Sequence, residues 1–378
     1  MRAIGLYVHV PFCLAKCRYC DFVSYRYSEE AARRYLAALE KEICLRSQEY
    51  GAQTVIQSIY IGGGTPTCLP AEGLRRLLVA LRDRFNVQPG SEITVEANPE
   101  TVTVDLLGLL HGEGVNRLSL GMQTADGDLL RFLGRSHVLD DVARAAEAAR
   151  AVGFHNINLD LIFGLPGQDL SSWESTLQAA VMLKPDHISA YSLELHPETP
   201  LGASAATGEV VPCSEEEERS MYFRAIDFLS AHAYEHYEIS NFARCGKQSR
   251  HNRLYWEGEP YLGFGPAAHS YLNGRRWSNK ADLAGYCSCL DEGRLPVTGE
   301  ALLTTEDEMA EAMFLGLRLI EGVSSSRFHA RFGREVGEVY GSEIEGLIAQ
   351  GLLRQEGDFL RLTREALPVA NVVFRAFV

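Results

Sequence analysis

The sequence of 378 residues lacks the features of several protein classes. No apolar run approaches the roughly twenty residues of a membrane-spanning helix, and the first residues do not form a secretory signal. The formal net charge of -14 argues against binding driven by phosphates, so we expect no nucleic-acid partner. Nine cysteines, an odd number, do not suit a disulfide framework without a secretory signal. These absences predict a globular, cytoplasmic protein with reduced cysteines.

A fourth cysteine is also missing from the main cysteine cluster, YVHVPFCLAKCRYCDF at positions 7–22. Cys13, Cys17 and Cys20 fall within eight positions, and Phe22 stands where a further ligand would be sought. A structural zinc site closes with four ligands, whereas soft thiolates also suit iron–sulfur clusters. Three thiolates can hold three irons of a cubane 4Fe–4S cluster and leave the fourth iron open. The alternative is a zinc site that a distant His or Cys completes.

Apolar, β-branched runs of strand length alternate with helical patterns over the first 200 residues. Such alternation predicts parallel βαβ units, and six units are fewer than the eight of a complete barrel. A partial barrel and an open doubly wound sheet both fit this count. Two serine–glutamate spacings, Ser171 with Glu174 and Ser214 with Glu217, predict capping boxes. The predicted strands are 5–10, 58–63, 92–98, 116–122, 156–164 and 187–195, and the clearest helices are 28–50, 71–85 and 139–153.

Polar or glycine residues follow nearly every predicted strand, at the edge where parallel α/β proteins carry their chemistry. The glycines at 62–64 allow close approach of the backbone to a ligand. Glu96 and Gln123 end the third and fourth strands, and Asp160 lies in an apolar strand where it must be paired or bind a ligand. Arg135 suits a carboxylate partner. Together these residues predict one pocket for a zwitterionic ligand beside the cysteines.

The pattern changes after residue 235. The segment 236–300 is rich in aromatic residues, Gly and His, and it predicts loops and short strands with a binding role. From about 302 the chain again has helical patterns, followed by a short hairpin, which together predict a small winged-helix-like module. We therefore expect a partial barrel over 1–235, a ligand-related segment over 236–300 and a C-terminal module over 301–378.

The spacing in CLAKCRYC resembles the radical S-adenosylmethionine (SAM) superfamily. YVHVPFC, GGGTPT, EANPE, GMQ, GRSH and DLIFGLPGQ resemble the branch around oxygen-independent coproporphyrinogen III oxidase, over nearly the whole chain. The resemblance implies a partial (β/α)6 TIM-type barrel, a 4Fe–4S cluster on Cys13, Cys17 and Cys20, and SAM chelating the open iron. The positions that would hold SAM are Tyr7, Gly63, Gly64, Thr65, Glu96, Gln123, Arg135 and Asp160.

Two departures separate the chain from those oxidases. They carry a further cysteine where this chain has Phe22, and they carry an extension before the cluster strand that is not expected here. RHNRLYW at 250–256 instead resembles the signature of the HemW haem chaperones. On that resemblance His251 offers an imidazole for haem iron, and Tyr255 and Trp256 offer flat faces for the macrocycle. The competing imidazoles are those of His196, His236 and His269.

The expected function is therefore that of a haem chaperone with a radical SAM core. It would bind a 4Fe–4S cluster, SAM and haem, and it would hand haem to an unidentified acceptor protein, membrane acceptors included. One alternative is oxygen-independent oxidation of coproporphyrinogen III, an enzymatic function. Another is a radical SAM methyltransferase or cyclopropanase, which HNRLYW argues against.

Overall fold

The core of the protein is a curved sheet of parallel strands. The computed structural model describes residues 2–51 and 54–378. Apart from two short strands, β2 and β3, the strands of the first half run parallel in the order β1-β4-β5-β6-β7-β8. All six predicted strands are confirmed. Their bounds are β1 Arg2–Val10, β2 Phe12–Cys13, β3 Tyr25–Arg26, β4 Thr54–Gly63, β5 Asn86–Ala97, β6 Arg117–Gln123, β7 Ile157–Phe163 and β8 His187–Ser192.

Helices follow the parallel strands and cover the outer face of the sheet. Ser214 and Glu217 form the predicted capping box. The other prediction is wrong: Asp169 caps its helix by accepting from the backbone N–H of Ser172, and Ser171 lies inside the first turn. Two 3-10 turns occupy Pro66–Cys68 and Pro99–Thr101. The helices are α1 Glu29–Tyr50, α2 Ala71–Arg84, α3 Val104–Gly112, α4 Gly127–Leu133, α5 Leu139–Ala151, α6 Leu170–Met182, α7 Pro200–Ala206 and α8 Glu215–Ala231.

The two faces of the parallel strands differ in chemistry although both are buried. In β6, Leu118 and Leu120 belong to the main hydrophobic cluster with the helices. The residues that alternate with them, Arg117 and Ser119, are polar and each 1% exposed. Because side chains alternate along a strand, the concave face of the sheet is lined with polar groups while the convex face packs on helices. The interior of the barrel is therefore a polar network.

The segment after 235 extends the same sheet at both ends. β8 pairs with an antiparallel hairpin, and β1 pairs in parallel with β11. The twelve strands follow the order β14-β13-β12-β11-β1-β4-β5-β6-β7-β8-β10-β9. Among the described residues the end strands do not pair with each other, so the sheet is a partial barrel. The added strands are β9 Glu235–Glu238, β10 Asn241–Ala243, β11 Tyr261–Phe264, β12 His269–Leu272, β13 Arg275–Asn279 and β14 Val297–Leu302.

Residues 250–256 form a helix, α9 Arg250–Trp256, and the prediction of loops and short strands is wrong there. Ser249 caps it by accepting from the N–H of Asn252. Glu92, at the start of the inward-facing part of β5, accepts from the N–H groups of Arg250 and His251. A distant carboxylate thus satisfies the helix N-terminus, and local sequence does not reveal such a partner. A second helix of this segment is α10 Leu283–Asp291.

The C-terminal part has its own hydrophobic core and a small antiparallel sheet in the order β15-β17-β16. Helices and this sheet form the winged-helix-like module that the sequence predicts. No helix of the described residues is long and apolar enough to cross a membrane. The elements are α11 Thr305–Gly316, β15 Val323–Ser324, α12 Ser325–Phe332, α13 Val336–Ala349, β16 Leu353–Glu356, β17 Phe359–Leu362 and α14 Ala370–Phe374, with 3-10 turns at Leu367–Val369 and Arg375–Phe377.

Candidate functional site

A cavity of about 420 Å³ opens at the carboxyl ends of the parallel strands. The loop after β1, residues 13–20 and here called the cysteine loop, forms one wall. Ends of β4 to β8 form the floor and the other walls. Among the residues that line it are Cys13, Cys17, Cys20, Gly63, Gly64, Thr65, Glu96, Gln123, Arg135 and Asp160. The structure thus brings together all but one of the residues that the sequence assigns to the cluster and to SAM.

The cysteine loop carries three free thiols that are partly buried. Burial raises the pKa of Cys17, and it raises the pKa of Cys20 to about 11, so metal binding would release protons here. Among the described residues no group of three or more His, Cys, Asp or Glu converges on a single metal ion. In a cubane cluster each thiolate binds a different iron, so the thiols do not need to converge on one point. The donor set fits such a cluster better than zinc.

Glu96 is held from two sides in the floor of the cavity. Tyr60 donates its hydroxyl to Oε1 at 2.6 Å, and the backbone N–H of Gly63 donates to Oε2 at 3.0 Å. Burial nevertheless raises the pKa of Glu96 to about 7. A carboxylate whose charge is this costly to bury gains from an added donor or cation. A ligand ammonium group would be such a partner.

Arg135 lines the cavity and lies directly against the cysteine loop. Its Nη1 donates to Asn98 Oδ1 at 2.7 Å and its Nη2 donates to the hydroxyl of Tyr19 at 2.7 Å. Its buried Nε has no partner within the described part of the chain. A guanidinium with an unused buried donor fits a carboxylate ligand, because an unmet buried donor is costly.

Asp160 and Gln123 supply polar groups along the remaining wall. Asp160 accepts from Ser119 at 2.9 Å and from Asn158 at 2.8 Å. Gln123 has a φ of 64°, in the left-handed region that non-glycine residues rarely occupy. Such strain persists where the surrounding structure imposes it, and it is common at binding sites.

The glycines at the end of β4 are required by close contacts with neighbouring residues. A Cβ on Gly62 would lie 2.7 Å from Glu96 Cδ, and one on Gly64 would lie 2.5 Å from the carbonyl oxygen of Phe12. Gly63 has a φ of +103°, and its Cβ would lie 2.4 Å from the His9 ring. The run therefore allows β4 to approach both Glu96 and the start of the cysteine loop.

Tyr7 is the SAM-assigned residue that does not line the cavity. Its hydroxyl lies 3.0 Å from His9 Nδ1, and its ring stacks on Tyr60 with centroids 6.3 Å apart. Burial and the nearby Glu96 raise its pKa. Tyr7 therefore stands behind the floor of the cavity rather than in it.

Several polar residues of the cavity were not predicted from the sequence, among them Tyr19, Tyr60 and Asn98. Tyr19 and Asn98 hold Arg135, and Tyr60 holds Glu96. Asn98 lies within the EANPE motif, next to Glu96, so its position at a strand end was a usable signal. Tyr60 sits in an apolar strand, and only the alternation of faces along β4 places it toward the interior.

His251 lies at the opposite end of the barrel, where α9 packs against the start of the strands. The imidazole is buried, with Nδ1 2.8 Å from Ser58 Oγ and Nε2 2.9 Å from the Tyr255 hydroxyl. Burial, with the charge of Arg117, lowers its pKa to about 3. The guanidinium carbon of Arg318 lies 4.2 Å from the centroid of the Trp256 ring. In this structure both imidazole nitrogens of His251 are bonded and the rings of Tyr255 and Trp256 are half-buried, so the haem-binding role of these three residues stays a prediction.

The competing histidines differ in access. His236 is part-buried against the carbonyl of Ile239, and burial lowers its pKa to about 4. His269 is exposed on β12. His196 lines the mouth of the cavity, and its side chain is 36% exposed. Two large apolar residues share that mouth, Phe22 with 56% and Tyr191 with 41% exposure.

Comparison with known proteins agrees with this geometry. A model of the Radical SAM superfamily matches residues 7–180, and a model of the HemN C-terminal domain matches 303–369. The protein of Bacillus subtilis (strain 168) named Heme chaperone HemW is 39% identical over 377 residues, with 98% of each chain covered. The Heme chaperone HemW of Escherichia coli (strain K12) is 31% identical, with 99% of this chain and 98% of that chain covered. This chain belongs to the HemW family.

This chain is also close in fold to a solved coproporphyrinogen III oxidase. The structure of that oxidase (HemN) from Escherichia coli, described as a radical SAM enzyme, is 25% identical with a TM-score of 0.88. The alignment covers 100% of this chain and 90% of that chain. The family predicted from the cysteine spacing and from HNRLYW is therefore confirmed, and so is the predicted fold class.

Proposed function

We propose that this HemW-family protein is a haem chaperone that binds a 4Fe–4S cluster, SAM and haem, and transfers haem to an acceptor protein. One observation carries the proposal: three free thiols share a cavity with Glu96, Arg135 and other polar strand ends. The full-length relatives named Heme chaperone HemW support the haem part. The domain boundaries expected at residues 235 and 300 remain predictions.

Different residues of the cavity would hold the cluster and the parts of SAM. The thiolates of Cys13, Cys17 and Cys20 would hold the cluster, which when bound supplies an open iron and a transferable electron. Glu96 would bond the amino group of SAM and Arg135 its carboxylate. The side chains of Gln123 and Asp160, with Gly63, Gly64 and Thr65, would orient the ribose and adenine.

The mouth of this cavity is the better seat for haem than the buried helix α9. Phe22 and Tyr191 offer exposed rings to a flat apolar macrocycle, and His196 offers an imidazole. The Nε2 of His196 lies 3.5 Å from Asp21 and 3.3 Å from Glu194, contacts that iron can replace. Iron could reach His251 only if α9 separated from β1 and β4. We therefore propose His196 as the haem ligand of this structure.

Anaerobic haem titrations of the wild type, His196→Ala and His251→Ala test the seat. We expect His196→Ala to weaken binding or shift the Soret band, and His251→Ala to keep the wild-type band. Transfer to apomyoglobin, followed by its own Soret band, tests the chaperone function. A wild type that binds no haem contradicts the proposed chaperone function. Loss of the Soret band only in His251→Ala contradicts the proposal that His196 is the haem ligand.

A second candidate is oxygen-independent oxidation of coproporphyrinogen III, which the similarity to HemN of Escherichia coli favours. The exposed Phe22 at the mouth stands where the resemblance assigns those oxidases a further cysteine. Product analysis with coproporphyrinogen III, a reductant and SAM separates the two candidates.

A further inference from the structure

A stacked pair of rings connects helix α9 with the floor of the cavity. The ring of Tyr60 stacks on the imidazole of His251, with centroids 5.3 Å apart and planes 30° apart. The hydroxyl at the other end of Tyr60 donates to Glu96 Oε1 at 2.6 Å. Tyr60 thus connects His251 on helix α9 with Glu96, the carboxylate that would bind the amino group of SAM.

The imidazole that supports Tyr60 is itself fixed at both nitrogens. Ser58 Oγ lies 2.8 Å from Nδ1, and the Tyr255 hydroxyl lies 2.9 Å from Nε2. The backbone N–H of His251 donates to Glu92 Oε1 at 3.0 Å, which ties the helix to β5. With burial and these bonds on every side, the ring has a single position, and its contact with Tyr60 is fixed as well.

The neighbouring strand leaves room for this ring only because it carries glycine. A Cβ on Gly5 in β1 would lie 3.2 Å from two atoms of the imidazole and 2.8 Å from Leu254. The seat of His251 is thus built from β1, β4, β5 and α9 together. His251 is 1% exposed and is not among the described residues that line the cavity, so its ring does not reach a ligand bound there.

We propose that His251 is a positioning residue of the SAM pocket: by holding the ring of Tyr60 it keeps the hydroxyl on Glu96 and the carboxylate aimed at the amino group of SAM. This inference rests on the SAM site proposed above. It assigns the histidine of HNRLYW a role at a distance, through Tyr60, in place of iron ligation.

The protonation of Glu96 depends on its contact with Tyr60. The described groups that act on its carboxylate include Tyr60 and the Gly63 N–H on β4, Asp160 on β7, Arg117 on β6 and Tyr7 on β1. The hydrogen bond from Tyr60 lowers the pKa of Glu96 and Asp160 raises it. Loss of the Tyr60 bond therefore moves the pKa upward from about 7, and the carboxylate that SAM requires is then less populated at neutral pH.

The test is SAM titration of the reduced, anaerobically reconstituted protein, followed by the EPR spectrum of the cluster between pH 6 and 8. Variants are His251→Ala, His251→Gln, Tyr60→Phe and the double variant His251→Ala with Tyr60→Phe. We expect the single Ala and Phe variants to weaken SAM by about three- to tenfold at pH 7. The midpoint of the pH dependence should move upward in both, and the double variant should be no weaker than Tyr60→Phe alone. His251→Gln, whose amide can bond both Ser58 and Tyr255, should recover part of the loss.

The matched control is Arg253→Gln on the same helix. Arg253 contacts Gln248, Glu257 and Glu321, away from the cavity, so this variant perturbs α9 without changing SAM affinity. Unchanged SAM affinity and pH midpoint in His251→Ala, at full iron and sulfide content, would overturn the inference. If His251→Ala does not fold, a wild-type midpoint in both His251→Gln and Tyr60→Phe overturns it too. A wild type whose EPR spectrum ignores SAM instead overturns the SAM site itself.

Discussion

Glu96 shows how burial at a single residue prepares a binding site. Its pKa is raised to about 7 because it is buried, although two hydrogen bonds act in the other direction. The carboxylate is therefore incompletely charged at neutral pH until a ligand donor completes its surroundings.

The affinity for SAM should consequently depend on pH through Glu96. Below about pH 7 the carboxyl group takes up a proton, so SAM should bind more weakly as pH falls, by up to about tenfold per unit. Glu96→Gln should weaken SAM by roughly ten- to a hundredfold at pH 7.5 and remove this pH dependence. SAM titrations of both proteins, followed by EPR, measure the difference. The same slope in wild type and variant would contradict this role.

The three cysteines of the cysteine loop give a second test at this scale. Replacing Cys13, Cys17 or Cys20 by Ala should abolish the broad iron–sulfur absorbance of reconstituted protein, since three thiolates are the minimum for an anchored cubane. Cys245→Ala, at an exposed cysteine outside the cavity, is the matched control and should keep about four irons per chain. Stoichiometric zinc without sulfide in anaerobically purified wild type would contradict the assignment.

At the scale of elements, the sequence predicted the parallel strands well and α9 poorly. Strands with apolar residues on the helix-facing side carry a local signal, whereas α9 depends on Glu92, 158 residues away from Arg250. The burial of His251 was not predictable for the same reason. The sequence shows that an imidazole is present, but its burial depends on packing against the distant strands β1 and β4. Residues at strand ends were predictable because parallel strands share one functional edge.

Two serines at the starts of α8 and α6 offer a matched pair for testing helix capping. Ser214 accepts from the N–H of Glu217 in a capping box, while Ser171 lies inside the first turn of α6. Ser214→Ala should lower the free energy of unfolding by about 1 kcal/mol, and Ser171→Ala by less than about 0.5 kcal/mol. Urea denaturation followed by circular dichroism compares the two. An unchanged free energy of unfolding in Ser214→Ala would mean that the capping contact of Ser214 contributes nothing.

At the scale of the whole molecule, the barrel and the C-terminal module meet beside α9. Arg253 on that helix pairs with Glu257 and with Glu321, which lies just before the module's first strand. Arg318 covers Trp256 from the same side. The HNRLYW helix therefore packs against the base of the barrel on one face and against the C-terminal part on the other, which gives its aromatic residues a structural role.

The central claim is that this HemW-family chain handles haem as cargo rather than converting a porphyrinogen. The most direct measurement is made on one anaerobically reconstituted sample with cluster and SAM. Haem is titrated in one half, and coproporphyrinogen III with a reductant is supplied to the other for product analysis. The account predicts stoichiometric haem binding, with haem passed on to apomyoglobin, and no protoporphyrinogen IX. Multiple-turnover formation of protoporphyrinogen IX without stoichiometric haem binding would contradict it and favour the oxidase.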